Sequence, residues 1–129
     1  MPWSLDVIEH NQRPVLETHY RDVMPPHELA EAVHATIEHA RTMSDALLLG
    51  NCTRLRGGHS AFDLYSLADM LMATGLGRLM KEAILLPQLP DSVENVSFWE
   101  TTCLNRGIHV RIFIDRREAL DWLTDNVTP

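Results

Sequence analysis

The feature that most constrains this chain of 129 residues is the alternation of short apolar runs with longer segments of helical periodicity. From residue 46 onwards, runs typical of buried strands alternate three times with amphipathic segments. A strand, a helix and a further strand require a crossover connection, which makes the two strands parallel and covers the sheet with helices. The pattern therefore predicts a layered α/β domain.

The first forty residues predict a hairpin followed by a helix. Residues 5–8 and residues 14–20 each alternate apolar and polar side chains, and a polar turn joins them, which is typical of two antiparallel strands. From Pro26 a helical apolar stripe takes over, with the preceding proline as a start signal, and it should end near Arg41.

The remaining elements follow in strict order along the chain. Ser60 and Asp63, and again Asp115 and Glu118, have the spacing of a capping box at a helix start. The predicted strands are residues 46–50, 82–86 and 108–113, and the predicted helices begin at residues 60, 91 and 115 and end near residues 75, 106 and 123. These elements predict one domain, residues 1–129, of order ββαβαβαβα. Its fold class is α/β, with a single mixed five-stranded sheet, an N-terminal hairpin followed by parallel strands, and about four helices.

Charge and cysteine content exclude several classes of protein. The formal charge is −7, so the chain lacks the excess of basic side chains that supplies nonspecific affinity for nucleic acids. Cys52 and Cys103 are far apart and match no zinc-ligand spacing, which is typical of reduced thiols. No apolar run approaches the length of a spanning helix or a secretion signal. We expect a soluble, cytoplasmic protein.

Two constellations of polar residues were considered as catalytic or metal sites. The first lies on the predicted first helix, opposite its apolar stripe, and could bind zinc or be a solvated helix face: His27, Glu31, His34 and Glu38. The second is Ser60 with the adjacent His59, but the Gly-x-Ser-x-Gly turn of a nucleophilic serine is absent. We therefore expect no catalytic residues, no metal and no cofactor.

Three stretches of the sequence resemble the SpoIIAA-like family, within the STAS-domain superfamily. They are Gly58-His59-Ser60-Ala61-Phe62-Asp63-Leu64, then Lys81-Glu82-Ala83-Ile84-Leu85, then the block from Asn105 to Phe113 followed by Glu118-Ala119-Leu120-Asp121-Trp122-Leu123. The resemblance covers about residues 5–123, and its C-terminal block is the most specific part. It implies a compact mixed-sheet domain without established catalysis.

In related antagonist proteins, a serine at the start of the helix after the third strand is phosphorylated by a partner kinase. The resemblance places Ser60 at this position, although the Asp-Ser type of motif is absent. A helix N-terminus also favours anions, and Arg54, Arg56, Gly57 and Gly58 lie in the adjoining segment. Residues 46–90 carry four basic and three acidic side chains and form the one third of the chain that is not acidic. Ser60 is thus either a phosphorylation or anion site or a simple helix cap.

The second predicted helix and the segment after it contain more apolar side chains than one core-facing stripe needs. These residues are Phe62, Tyr65, Met70, Met72, Leu76, Leu79 and Met80. Methionines adapt to irregular surroundings, so the segment could cover a ligand pocket or contact a protein or a membrane surface. Core packing together with a homodimer contact is the alternative.

We therefore expect a non-enzymatic binding or regulatory module that acts through protein contacts at residues 52–60 and the second helix. The partner implied by the resemblance is an anti-sigma factor or a kinase-like protein. The alternative is a carrier or sensor of a small apolar ligand or lipid, held between the sheet and residues 62–80. A hydrolase using Ser60 is the third possibility. Cys52 is either a buried thiol or a reactive one.

Overall fold

Five strands and four helices make up the part of the chain that the computed structural model describes, residues 2–125; residue 1 and residues 126–129 of the predicted domain lie outside the described residues. The strands are β1 (Trp3–His10), β2 (Arg13–Asp22), β3 (Ala46–Leu55), β4 (Met80–Leu85) and β5 (His109–Phe113). The helices are α1 (Pro26–Ala40), α2 (Ala61–Ala73), α3 (Pro90–Leu104) and α4 (Arg116–Thr124).

The strands form one mixed sheet in the order β1-β2-β3-β4-β5. β1 pairs with β2 antiparallel, and the three other pairs are parallel. Asn11 and Gln12 join the hairpin with φ values of 51° and 63°, and two successive left-handed residues give the twist that a tight hairpin turn requires. The predicted element order, hairpin and parallel strands are confirmed.

Each crossover moves to the neighbouring strand in the same direction, so α1, α2 and α3 all pack on one face of the sheet. This face holds the larger core, to which Leu48, Leu67 and Ile84 belong. The opposite face is covered by α4, with Leu49, Leu85 and Leu123 in its smaller core. We call these the three-helix face and the α4 face.

α4 is also tied to the hairpin at the other end of the sequence. The ring of His10 lies 2.7 Å from the carboxylate of Asp121, and the Asn11 amide donates to the Thr124 hydroxyl at 3.0 Å. The hairpin turn and the last described helix therefore hold each other in place across the α4 face.

The largest departure from the predicted boundaries is in β3, which continues to Leu55 instead of ending at residue 50. The extension pairs with β2 as far as Asp22 and Leu55, and Cys52 and Leu55 are buried while Thr53 and Arg54 are exposed. Because this half of the strand contains several polar residues, it lacks the continuous apolar run by which the first half was predicted. Cys52 and Arg54, which the predicted strand boundary leaves outside the third strand, belong to β3.

Candidate functional site

Ser60 lies at the N-terminus of α2 and forms the predicted capping box with Asp63. Its hydroxyl oxygen accepts from the Asp63 N–H at 3.2 Å, while the Ser60 N–H and hydroxyl donate to the Asp63 carboxylate at 2.7 and 2.9 Å. These bonds hold the pKa of Asp63 below its usual value. Ser60 thus initiates the helix, and a phosphoryl group on its oxygen would lie against a carboxylate.

The two glycines before this cap allow the loop to pack closely on the start of α1. Gly57 and Gly58 have φ values of +90° and +104°, and a Cβ on Gly58 would lie 2.7 Å from the backbone of Met24. The Gly57 carbonyl accepts from the Met24 N–H at 2.7 Å, and the His59 ring nitrogen Nδ1 lies 3.2 Å from the Met24 carbonyl. The close approach to Met24 accounts for Gly58, and the left-handed backbone conformation accounts for Gly57.

The predicted anion site is spread over two elements. Arg54 lies near the end of β3 and Arg56 follows that strand, and both side chains are exposed. The Arg56 N–H donates to the carbonyl of Asp22 at 2.8 Å, which fixes the backbone at this point. An anion or phosphoryl group at Ser60 stays a prediction.

The apolar residues of α2 and the segment after it divide into three groups. Phe62 and Leu79 are 75% and 77% exposed. Tyr65 is half exposed and is covered by the Arg106 guanidinium, 4.4 Å from the ring centroid. The third group packs into the larger core and consists of Met70, Met72, Leu76 and Met80.

A cavity of about 70 Å³ lies on the three-helix face. Each surrounding element contributes apolar side chains to it, for example Leu29 from α1, Leu48 from β3, Leu67 from α2, Ile84 from β4 and Val96 from α3. Since one water needs roughly 10–15 Å³ of such volume, the cavity has room for roughly five waters or a ligand with a similar number of non-hydrogen atoms. Its lining is mostly apolar, as in small-molecule sites generally.

Glu82 brings a carboxyl group to this apolar cavity. Its side chain is 8% exposed, and Trp99 Nε1 donates to Oε1 at 3.0 Å. The other oxygen, Oε2, lies over Gly50, where an added Cβ would be 3.4 Å away. The missing side chain at residue 50 thus leaves space beside Oε2.

Burial raises the pKa of Glu82 to about 7, and the hydrogen bond from Trp99 opposes this increase. No lysine or arginine is among the described residues that line the cavity. A buried carboxylate without a cation is costly. The Glu82 carboxyl therefore keeps its proton up to a higher pH than an ordinary glutamate does. A group with such a pKa in a cleft is a candidate functional residue.

Tyr20 and Cys52 complete the polar part of the cavity wall. Burial and then the charge of Glu82 raise the pKa of Tyr20 well above its usual value, although the hydroxyls of Thr36 and Thr18 form hydrogen bonds with it. Burial and Glu82 also raise the pKa of Cys52. Both groups are therefore neutral at pH 7, and Cys52 is a buried thiol, not an activated one.

A second polar cluster lies on the α4 face. Glu17 is buried and receives two hydrogen bonds from Arg116, at 2.6 and 2.8 Å, and one from Asn51 at 3.0 Å. His19 lies 3.5 Å from Glu17 and 3.1 Å from Asp6. Burial raises the pKa of Glu17, but these bonds lower it more, so the net pKa is below its usual value. The cluster pins β2, β3 and α4 together.

No protein-family model matches this chain, and no curated protein matches it either. Among solved structures, it is similar to an uncharacterized protein of the DUF3478 family from Shewanella loihica PV-4, which has a SpoIIAA-like fold. The similarity has a TM-score of 0.61 at 23% sequence identity and covers 94% of this chain and 93% of that chain. This chain has a SpoIIAA-like fold.

The SpoIIAA-like fold confirms the predicted fold class. Within it, the cavity differs from the pocket predicted between the sheet and residues 62–80. α1 and α3 form as much of its wall as α2, and Met80 is the member of the predicted apolar set that lines it. The sheet and three helices therefore form the cavity wall, whereas the sequence suggested that residues 62–80 alone would cover the sheet.

Sequence reasoning did not single out Glu82, Trp99, Tyr20 or Gly50 as site residues of this SpoIIAA-like fold. One signal was available, because Glu82 is a charged residue in the middle of a strand whose neighbours Ala83 to Leu85 are apolar. A carboxylate in a strand covered on both faces is expected to be buried and to need a partner. The identity of that partner depends on the sheet register and helix packing.

Metal-binding clusters and membrane-spanning helices are both absent from the described part of this SpoIIAA-like fold. Among residues 2–125, no group of three or more potential ligands could hold a metal ion. The four residues weighed as a zinc site, His27, Glu31, His34 and Glu38, are all exposed on α1. None of the helices in this part of the chain is long and apolar enough to cross a bilayer.

Proposed function

We propose that this chain is a non-enzymatic binding module of the STAS-like type that carries or senses a small, mostly apolar ligand in the cavity of the three-helix face. The observation behind this proposal is an apolar cavity of about 70 Å³ whose wall includes one buried carboxyl group. Well-formed apolar pockets with a few polar groups are the usual sites of small-molecule binding.

The side chains around the cavity offer little for catalysis. Ser60 is outside the cavity lining and is held in its capping box. Cys52 lines the cavity, but its raised pKa keeps it as an unreactive thiol. Binding without chemical conversion is therefore the function that this geometry favours.

The proposal predicts that 1-butanol binds in the cavity. Titration followed by amide chemical shifts should place the largest changes at β3, β4 and α3, with weak affinity because so few atoms are buried. Gly50→Ala adds a methyl group beside Glu82 and Ile84. It should weaken binding about fourfold, the factor that corresponds to about 0.8 kcal/mol per methylene.

Thr53→Ala provides the matched control, since Thr53 is on the same strand but exposed on the opposite face. It should leave the affinity for 1-butanol unchanged. Shift changes confined to the exposed side of α2, or equal affinities of wild type and Gly50→Ala, would contradict the proposal.

A second candidate function rests on the exposure of Phe62 and Leu79, which are 75% and 77% accessible. Phe62 lies in the first turn of α2 and Leu79 lies beyond the other end of that helix, and exposed large apolar side chains are common on contact surfaces. Here residues 52–60 and α2 would bind a protein, either a second copy of this chain or a partner such as an anti-sigma factor or a kinase-like protein. Ser60 and Arg56 would lie at the edge of that contact.

A further inference from the structure

The unused acceptor in the cavity is Oε2 of Glu82. Trp99 supplies a donor to Oε1, and among residues 2–125 no hydrogen bond is formed to Oε2. The side chain is more than nine-tenths buried, and Oε2 faces the space above Gly50. Oε2 is not the fully buried atom without a partner, which among the described residues is Trp3 Nε1. Oε2 is instead open to the cavity that Glu82 lines, so it marks where a ligand would place a hydrogen-bond donor.

No lysine or arginine lines the cavity beside Glu82 among the described residues. Tyr20 from β2, Cys52 from β3 and Cys103 from α3 are the ionisable groups that interact with it, and the pKa of each is raised by burial first. α1 contributes Thr36, α2 contributes leucines, and the loop before α2 contributes His59, whose Nδ1 lies against the Met24 carbonyl. A cation for Glu82 would therefore have to come with the ligand.

Three common ligand head groups differ in how they suit this acceptor. An ammonium group has three donors, no acceptor and a positive charge. It can therefore donate a hydrogen bond to Oε2 and balance the negative charge of Glu82. An alcohol supplies a donor but no charge. A carboxylate would bring a second negative charge close to the first, which disfavours ionisation of both.

Resting on the cavity being a ligand site, we propose that its ligand is a small primary amine whose ammonium group pairs with Glu82 while its hydrocarbon part contacts the leucines of α2 and the apolar residues of β3 and β4. The size of the cavity limits that ligand to roughly five non-hydrogen atoms. Amine binding ionises Glu82 and is therefore coupled to release of its proton.

The test compares n-butylamine, 1-butanol and butyrate on the purified protein by calorimetry or amide chemical shifts. Wild type should bind butylamine roughly tenfold more tightly than 1-butanol, the difference expected between charged and neutral hydrogen bonds, and butyrate least. Glu82→Gln should bind butylamine and 1-butanol equally. Glu38→Gln makes the same chemical change at an exposed position of α1 and should behave like wild type.

A measurement on wild type alone keeps the test independent of how the variants fold. Because Glu82 titrates near pH 7, affinity for butylamine should rise between about pH 5.5 and about pH 8, while affinity for 1-butanol should not. If 1-butanol and butylamine both fail to bind, the proposed function is wrong. If 1-butanol binds and butylamine binds no better, or Glu82→Gln keeps an amine preference, the amine inference alone is wrong.

Discussion

Glu17 and Glu82 are the two buried carboxylates among residues 2–125, and they lie on opposite faces of the sheet. Glu17 has Arg116 and Asn51 as partners and a lowered pKa. Glu82 has the Trp99 indole alone, and its pKa is raised. At pH 7 the same residue type is thus ionised where it pins strands together and only partly ionised where it faces the cavity.

The two carboxylates have opposite effects on the pH dependence of stability. Folding raises the pKa of Glu82 from 4.5 to about 7. The contribution of Glu82 to the free energy of unfolding is fully present below pH 4.5 and is lost as the pH rises to about 7. This contribution amounts to about 3 kcal/mol. Folding lowers the pKa of Glu17, so its contribution is present at neutral pH and is lost in acid.

We therefore predict that Glu82→Gln becomes more stable than wild type as the pH rises. Urea denaturation at about pH 5 and about pH 8 should show the difference in unfolding free energy growing by about 2.5 kcal/mol in favour of the variant. Glu38→Gln should show no such change. Parallel pH curves for wild type and Glu82→Gln would mean that Glu82 titrates normally in the folded protein.

At the scale of elements, the start of α2 has two interpretations: Ser60 is a helix cap, or it is also a regulatory site. The capping box uses the Ser60 hydroxyl as donor and as acceptor. A modification of this hydroxyl would remove the hydrogen bond that it donates to the Asp63 carboxylate.

Ser60→Ala should lower the unfolding free energy by about 1 kcal/mol, as loss of an N-cap does. Ser66→Ala is the matched control, because Ser66 is an exposed position within the same helix, and it should have little effect. Equal denaturation midpoints for the two variants would show that the cap contributes nothing to stability.

The order of elements and the α2 cap could be predicted because they depend on short-range patterns. Pro26 and Ser60 mark helix starts, and the run Ala46 to Leu49 is apolar on both faces of a strand. The second half of β3 could not be predicted from the sequence. Asn51, Thr53 and Arg54 are polar residues, and their strand conformation comes from pairing with β2. The cavity depends on residues from several elements, which meet only after register and helix packing are set.

At the scale of the whole molecule, the sequential strand order explains the position of the cavity. Successive right-handed crossovers that move in one direction place their helices on the same side of a sheet. α1, α2 and α3 therefore share one face, and the cavity lies where they converge over β3 and β4. α4 covers the other face by itself.

The second candidate function makes a prediction at this scale. If two copies meet through α2, sedimentation should show a dimer at high protein concentration, and Phe62→Glu should convert it to a monomer by placing charge in the contact. Ile114→Glu changes an apolar residue after β5 that is even more exposed than Phe62 and should leave the dimer intact. A wild type that is monomeric throughout would exclude a second copy as the occupant of this surface.

The tie between the hairpin turn and α4 has a consequence for synthesis of the protein. As the polypeptide leaves the ribosome, each new crossover helix can cover the three-helix face as soon as it is made. The apolar side chains of Val15, Leu47 and Leu49 on the other face have no cover until α4 has been translated. In the nascent chain this face stays open longest, and it is where chaperones or misassociation would act first.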